Sequence, residues 1–467
     1  MQWTKTQLSV VSIVAVTSFM GTFLISSINI ALPSIGKEFG LNSVALSWIV
    51  TAFLLANAMF LLPVGRWGDL TGIRRMYRVG LIVFALSSLL CGLSGSGFWL
   101  ILFRFIQGIG AAFTNTTGQA ILVSAFLPKH RGRVLGISVS AVYLGLAFGP
   151  FVGGFMTQYI GWRSIFYLAS VLGVISSVIA FVFLDKDEPI VVEGKKIDLR
   201  GIFFYMLGLV GLVYGSSRIP GALGWLLMGI AVVLLIIFWL KESKSALPVI
   251  DTKLFTNNHL FAYSNLAALI NYSATSAIVF FLSLYLQKIQ GLSPREAGTI
   301  LIAQPVMMAV FSPLVGRLSD RIQPRYLSTL GMTMCGMGLI AFAFFTAVTS
   351  HWVIITVLLW VGLGFAFFSS PNMNTIMSSV NKSQYGLASG SAASMRVIGQ
   401  IISMTIVTLF FAGKFGSRAI EAVPDSVFLN AMKWGFITFS VLSIVGIYFS
   451  YNRGQMNHET ATEEKDP

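Results

Sequence analysis

The sequence predicts an all-α polytopic membrane protein of fourteen transmembrane helices, built as two pseudo-symmetric six-helix bundles with an inserted two-helix hairpin. Three observations carry this prediction. The chain is 55% hydrophobic and 10% charged, with a mean hydropathy of +0.81, whereas soluble domains carry about 25% charged residues. Apolar runs long enough to cross a bilayer recur along its whole length. Its first part reappears, in weaker form, in its last part.

The runs fall near 8–33, 44–65, 76–95, 98–126, 132–157, 162–184, 198–217, 221–240, 260–287, 296–316, 326–348, 351–379, 385–413 and 428–451. The first is too long for the apolar core of a cleavable signal and reads as span one. Loop charge gives the orientation. Twenty-one of the thirty-one Lys and Arg fall at the two termini and the even-numbered loops, eight at the odd-numbered loops, and two within spans. The positive-inside rule then places both termini in the cytoplasm of a cell-membrane protein. The segments read as an N-terminal bundle (1–184), linkers with the inserted spans (185–258), a C-terminal bundle (259–451) and a polar tail (452–467) with little to bury.

The net charge of +14 does not argue for a nucleic-acid partner, because the basic residues punctuate apolar segments instead of forming a patch. Cys91 and Cys335 each sit inside an apolar run, and four scattered histidines lack ligand spacing, so neither a disulfide framework, a metal site nor a cofactor is expected.

The repeat is visible at fixed offsets. Gly65, Arg66, Asp69, Arg74 and Gly80 meet Gly316, Arg317, Asp320, Arg325 and Gly331. Gly108, Gly110, Gly132, Gly136 and Gly145 meet Gly362, Gly364, Gly386, Gly390 and Gly399. Spans one to six thus pair with nine to fourteen. Duplicated bundles suit a protein whose halves rock about a central site.

Three places carry chemistry. The 65–75 segment combines glycines that allow close helix approach with Asp69, Arg66 and Arg74, a charged latch suited to a cytoplasmic gate. Asp320 and Arg325, beside Gly316 and Arg317, would form its repeat. In span five, Gly145, Gly149, Gly153 and Gly154 give a smooth face and Pro150 permits a bend, so the helix can slide against the opposite half. Arg104 and Arg396 are ionisable groups inside spans, which cost about 2.5–3.5 kcal/mol on insertion scales and default to functional roles. Arg104 lies about 9 Å from the outer end of span four. Together with Ser26, Asn29, Asn57, Gln107, Asn115, Asn271, Gln304 and Gln400 the two arginines are expected to line a substrate cavity. For each lone amide, interhelix hydrogen bonding explains its presence equally well.

The latch segment resembles motif A of the major facilitator superfamily. Arg104 to Ala112 (RFIQGIGAA) resembles its span-four motif B, and Gly145 with Gly149 to Gly154 (GPFVGG) its span-five motif C. Gly161-Trp162-Arg163 resembles the opening of span six. Leu247 to Asp251 (LPVID), Tyr285-Leu286-Gln287 and Gly291-Leu292-Ser293 with Ala297-Gly298 are similar to the fourteen-span drug–proton antiporter branch. The resemblance implies a monomeric secondary-active exporter of lipophilic organic compounds, with protons as coupling ion and no enzymatic activity.

One departure matters. Many such antiporters carry an acid a few residues before Asn-x-Ala-Leu-Pro; here Asn29, Ala31, Leu32 and Pro33 match, but the acid's place holds Leu24. None of the seventeen carboxylates lies near the middle of a span. An apolar, aromatic cavity containing arginine favours neutral or anionic solutes over cations. Two rival readings follow: export of a particular anionic metabolite, and a sensor or scaffold that kept the fold and lost transport.

Overall fold

The computed structural model describes residues 3–126, 128–184, 199–244, 252–319, 321–380, 385–416 and 418–455. The N-terminal bundle consists of α1 (Lys5–Phe39), α2 (Ser43–Thr71), α3 (Ile73–Gly92), α4 (Gly97–Ala125), α5 (Pro128–Tyr159) and α6 (Arg163–Phe183). A hairpin follows, α7 (Leu199–Ser217) and α8 (Ala222–Glu242), and then the short α9 (Thr252–Asn257). The C-terminal bundle begins with a broken span, α10 (His259–Thr275) and α11 (Ile278–Leu284), ending in a π-turn at Tyr285–Ile289. A second broken span comprises α12 (Pro294–Leu301) and α13 (Ala303–Leu318). The chain closes with α14 (Pro324–Ala343), α15 (His351–Ser378), α16 (Tyr385–Phe415) and α17 (Asp425–Asn452).

Thirteen helical stretches among the described residues are long and apolar enough to span a bilayer. The expected seventh span, α7, is not among them. Its glycines let it lie against α8: a side chain on Gly208 would strike Leu235, and one on Gly211 would press on Ala231. The most apolar helix, α8, is also the least buried. Trp225 and Leu226 on it are 61% and 60% exposed, as expected where lipid is the neighbour.

The two bundles are packed alike. In the first, α1 lies on α5 and α6, and α4 on α2 and α3, with α3 also on α6. In the second, α10 lies on α16 and α17, and α15 on α13 and α14, with α14 also on α17. The contacts between bundles obey the same exchange: α5 meets α12 and α13, while α16, its counterpart, meets α2. The hairpin leans on this second seam, with α7 against both α2 and α16, and the Tyr205 hydroxyl donates to the Ala58 carbonyl at 2.9 Å.

Several boundaries differ from expectation. The helix of span two runs beyond the expected span end at Gly65 to Thr71, and the chain reverses at the single residue Gly72, whose φ of 103° suits glycine. Span nine breaks at Ser276–Ala277, where the freed Ala277 amide donates to the Ser403 hydroxyl of α16 at 3.0 Å. Span ten breaks at Ile302, three residues before Pro305. The polar end is not wholly unburied either: Arg453 is 1% exposed and donates to Asn372 Oδ1 at 2.7 Å. The rest of the predicted tail, from residue 456, and Leu247 to Asp251 lie outside the described residues.

Candidate translocation pathway

Helices of both bundles start or end on two faces, one bearing the chain termini and one distal to them. The seam between bundles is densest toward the distal face. Pro33 in α1 has no N–H, so the Asn29 carbonyl loses its partner four residues on. The Ser283 hydroxyl of α11 supplies a replacement, donating to that carbonyl at 2.6 Å. Gln287 Nε2, in the π-turn, donates to the next carbonyl, Ile30, at 3.0 Å. Nearby, the Ser47 and Thr408 hydroxyls are 3.0 Å apart across α2 and α16, and the Ser43 amide donates to the Arg418 carbonyl at 3.0 Å.

Glycines set the closest approach of the halves. A Cβ on Gly298 of α12 would strike the Pro150 carbonyl, and one on Gly154 would sit 2.5 Å from the Pro294 carbonyl. The remaining span-five glycines do a different job from sliding on the opposite half. Gly145, Gly149 and Gly153 face Thr22, Ser26 and Ser27 of α1, in their own bundle. The α1 hydroxyls donate to α5 carbonyls: Thr22 to Val142 at 3.0 Å and Ser27 to Gly149 at 2.9 Å. Ser26 donates to Leu146 at 3.4 Å, the carbonyl that Pro150 leaves free.

Arg104 is sealed inside the N-terminal bundle at 0% exposure. Its Nε donates to the Ile49 carbonyl of α2 at 3.0 Å, its Nη1 to Gln107 Oε1 at 2.5 Å, and its guanidinium lies 4.3 Å from the centroid of Phe53. Gln107 in turn donates to Ser88 of α3 at 2.6 Å. Arg104 and Gln107 therefore knit α2, α3 and α4, and their hydrogen bonds stay within one bundle.

Arg396 is placed differently. It is half-buried on α16, one turn from the half-buried Gln400, where α16 packs on Tyr272 of α10: a Cβ on Gly399 would sit 2.8 Å from the Tyr272 Cβ. Tyr143 of α5 is close enough to act on Tyr272 electrostatically, and its hydroxyl lies 2.8 Å from that of Ser369 on α15, across the halves. The other polar candidates scatter. Asn115 is exposed. The side-chain carbonyl oxygens of Asn29, Asn57 and Gln304, and both amide atoms of Asn271, are buried with no hydrogen-bond partner among the described residues. These atoms make no interhelix bond among the described residues.

At the face bearing the termini, a side chain on Gly65 would press on Thr116 and one on Gly316 on Ser370, each within its own bundle. Arg74 lines a cavity of about 270 Å³ with Thr4, Gln7 and Leu184. Arg317 is exposed. Arg325 lies 4.6 Å from the Tyr326 ring centroid and 5.8 Å from that of Tyr451. The side chains of Arg66 and Asp69, and Asp320 altogether, lie outside what the structure describes. The distal end of the first bundle has a pair that sequence reading missed: Trp162 Nε1 and Arg163 both bind the Glu38 carboxylate, each at 2.7 Å. The Gly-Trp-Arg motif was legible; its acceptor, in a different helix, was not.

Residues 11–404, and again 264–465, match the sequence pattern of the Major Facilitator Superfamily. The riboflavin transporter RibZ of Clostridioides difficile (strain 630) is 30% identical over 410 residues, covering 86% of this chain and 88% of the relative. Multidrug resistance protein Stp of Mycobacterium tuberculosis (strain ATCC 25618 / H37Rv) is 29% identical over 413 residues, covering 86% of this chain and 76% of the relative. A crystal structure of a bacterial homolog to the human lysosomal transporter Spinster, inward-facing and unoccupied, shares the fold with a TM-score of 0.68 at 15% identity, covering 97% of this chain and 98% of that one. With paired bundles, broken membrane helices and a sequence match running through both halves, the chain belongs to the Major Facilitator Superfamily, and multidrug-resistance transporters are among its relatives.

Proposed function

We propose that this protein is a secondary-active exporter of lipophilic or amphipathic organic compounds, working by alternating access between its two bundles. The observation that carries the reading is the seam: matched bundles meet through hydroxyl–carbonyl bonds, bare glycines and apolar side-chain contacts, which can be broken and remade. Relatives named for multidrug resistance support efflux, and one named for riboflavin supports a planar aromatic cargo. In this reading the chain is monomeric, has fourteen spans with α7 as the seventh, and keeps both termini in the cytoplasm.

Proton antiport is the coupling proposed, by resemblance, although no carboxylate lies near the middle of a span. The motif-A residues Asp69 and Arg74 with Asp320 and Arg325 would set the cytoplasmic gate, and Gly149, Pro150 and Gly153 would let α5 bend.

The test is an accumulation and resistance screen of a strain expressing the protein, with and without a protonophore. Export that collapses with the protonophore supports the reading. A protein whose single-cysteine accessibility on both faces never changes with solute or pH is a scaffold, and the reading fails.

A further inference from the structure

We infer that the seam holds a recognition site for planar aromatic anions, built by Arg396 and Tyr272 of the C-terminal bundle and closed by Tyr143 and Ser369 across the halves. The inference rests on the exporter reading and names its substrate class.

The argument begins with charge. Two cations lie within spans. Arg104 is sealed inside one bundle at 0% exposure, where carbonyl, amide and ring contacts hold it and only Nη2 is without a hydrogen-bond partner among the described residues. Arg396 is half-buried, so part of the residue remains accessible. No carboxylate of the chain lies near the middle of any span to neutralise it. The neutral phenol of Tyr272 is the group near enough to act on it. A guanidinium left in this condition prefers a planar anion, which accepts two parallel N–H donors and supplies the missing charge. The same guanidinium repels a cation: at about 6 Å and an effective dielectric near 20, two like charges cost a ligand on the order of 100-fold in affinity.

Shape and hydroxyl placement narrow the class further. The Tyr272 ring packs edge-to-face on Phe365 with centroids 5.5 Å apart, an aromatic pair of the kind flat solutes stack on. The Tyr143 and Ser369 hydroxyls, 2.8 Å apart, bond across the halves at mid-membrane, while the other cross-half hydrogen bonds among the described residues lie toward the distal end. A carboxylate, sulfonate or phenolate that takes the Tyr143 hydroxyl breaks that bond. Occupancy of the site is then tied to how the two bundles sit against each other.

The test uses the full-length protein in nanodiscs and two probes of similar size and flatness, the anion fluorescein and the cation ethidium, titrated by fluorescence anisotropy. Fluorescein is expected to bind at least 10-fold more tightly than ethidium. Arg396→Gln should weaken fluorescein binding by about 10- to 100-fold, the range of a charge-assisted pair. Arg396→Lys, which keeps the charge but not the fork, should retain part of the affinity. Tyr143→Phe should lose a few-fold. A purely structural arginine would weaken both probes together; the site predicts that Arg396→Gln improves ethidium. Equal affinity for the two probes, or fluorescein binding untouched in Arg396→Gln, overturns the inference. Uptake into proteoliposomes separates the two levels. Ethidium pumped with fluorescein ignored leaves the exporter standing and sinks the site; the expected binding pattern without any counterflow of fluorescein leaves the site and sinks the exporter.

Discussion

Arg104 shows how much one side chain can hold together within a bundle. Its guanidinium satisfies a helix carbonyl, orients Gln107 and covers the face of Phe53, all at 0% exposure. Removing one partner from such a network leaves the others buried and unmatched, a loss of about 1.5–3 kcal/mol. Arg104→Ala should therefore lower the melting temperature of the detergent-solubilised protein by several degrees, and Arg104→Lys by less. A variant that melts like the wild type but no longer transports would place this arginine in the chemistry instead. Ser283 invites a subtler change. Its hydroxyl contributes one hydrogen bond between the halves, so Ser283→Ala should weaken the distal closure by about 1 kcal/mol. Labelling of a cysteine introduced near the distal ends of α1 and α2 would rise several-fold in that variant; unchanged labelling would show that the bond is incidental.

At the scale of the helix, the glycine faces decide what can approach what. Gly298 lies against the Pro150 carbonyl with no room for a methyl group. Gly298→Ala should push α12 away from α5, favour the distally open state and slow turnover, while Gly21→Ala, at a position with nothing within 4 Å, should be silent in the same transport assay. The helices also show what was legible. The repeat survives in Gly, Asp and Arg because close backbone contacts and turns tolerate few other residue types, whereas the apolar residues around them interchange freely in lipid. Thirteen of the fourteen expected spans followed from run length. The breaks in spans nine and ten were harder. Proline marks the second, but nothing at Ser276–Ala277 does, since the amide freed there is satisfied by Ser403, 126 positions away. Tyr143 and Tyr272 were passed over for a like reason: a tyrosine in an apolar run looks like packing until a partner from another helix is beside it. Arg453 vanished into the average polarity of the tail, although its own side chain is buried against Asn372.

For the whole molecule, the proposed alternating access places the motion at the seam, where the bundles exchange equivalent contacts. The Ser47 and Thr408 hydroxyls, 3.0 Å apart, offer a way to arrest it. A Ser47→Cys, Thr408→Cys double variant, oxidised, should hold the distal face shut and abolish transport, with reductant restoring it. Transport that continues through the oxidised form would mean that α2 and α16 never separate. The arrangement also explains why the sequence announced a transporter more clearly than its cargo. Fold and duplication are written in many residues, but selectivity rests on a handful of groups brought together from α5, α10, α15 and α16.

The proline in α1 has a thermodynamic sequel. Because its ring withholds a donor, the oxygen at Asn29 must find a proton from outside its own helix in every state: Ser283 when the distal face is shut, water when it is parted. Opening thus draws solvent molecules into the gap, and their chemical potential becomes a term in the equilibrium. Excluded osmolytes such as sucrose, which lower water activity, should press the protein toward its shut form, and replacing the proline with alanine should blunt that osmotic sensitivity.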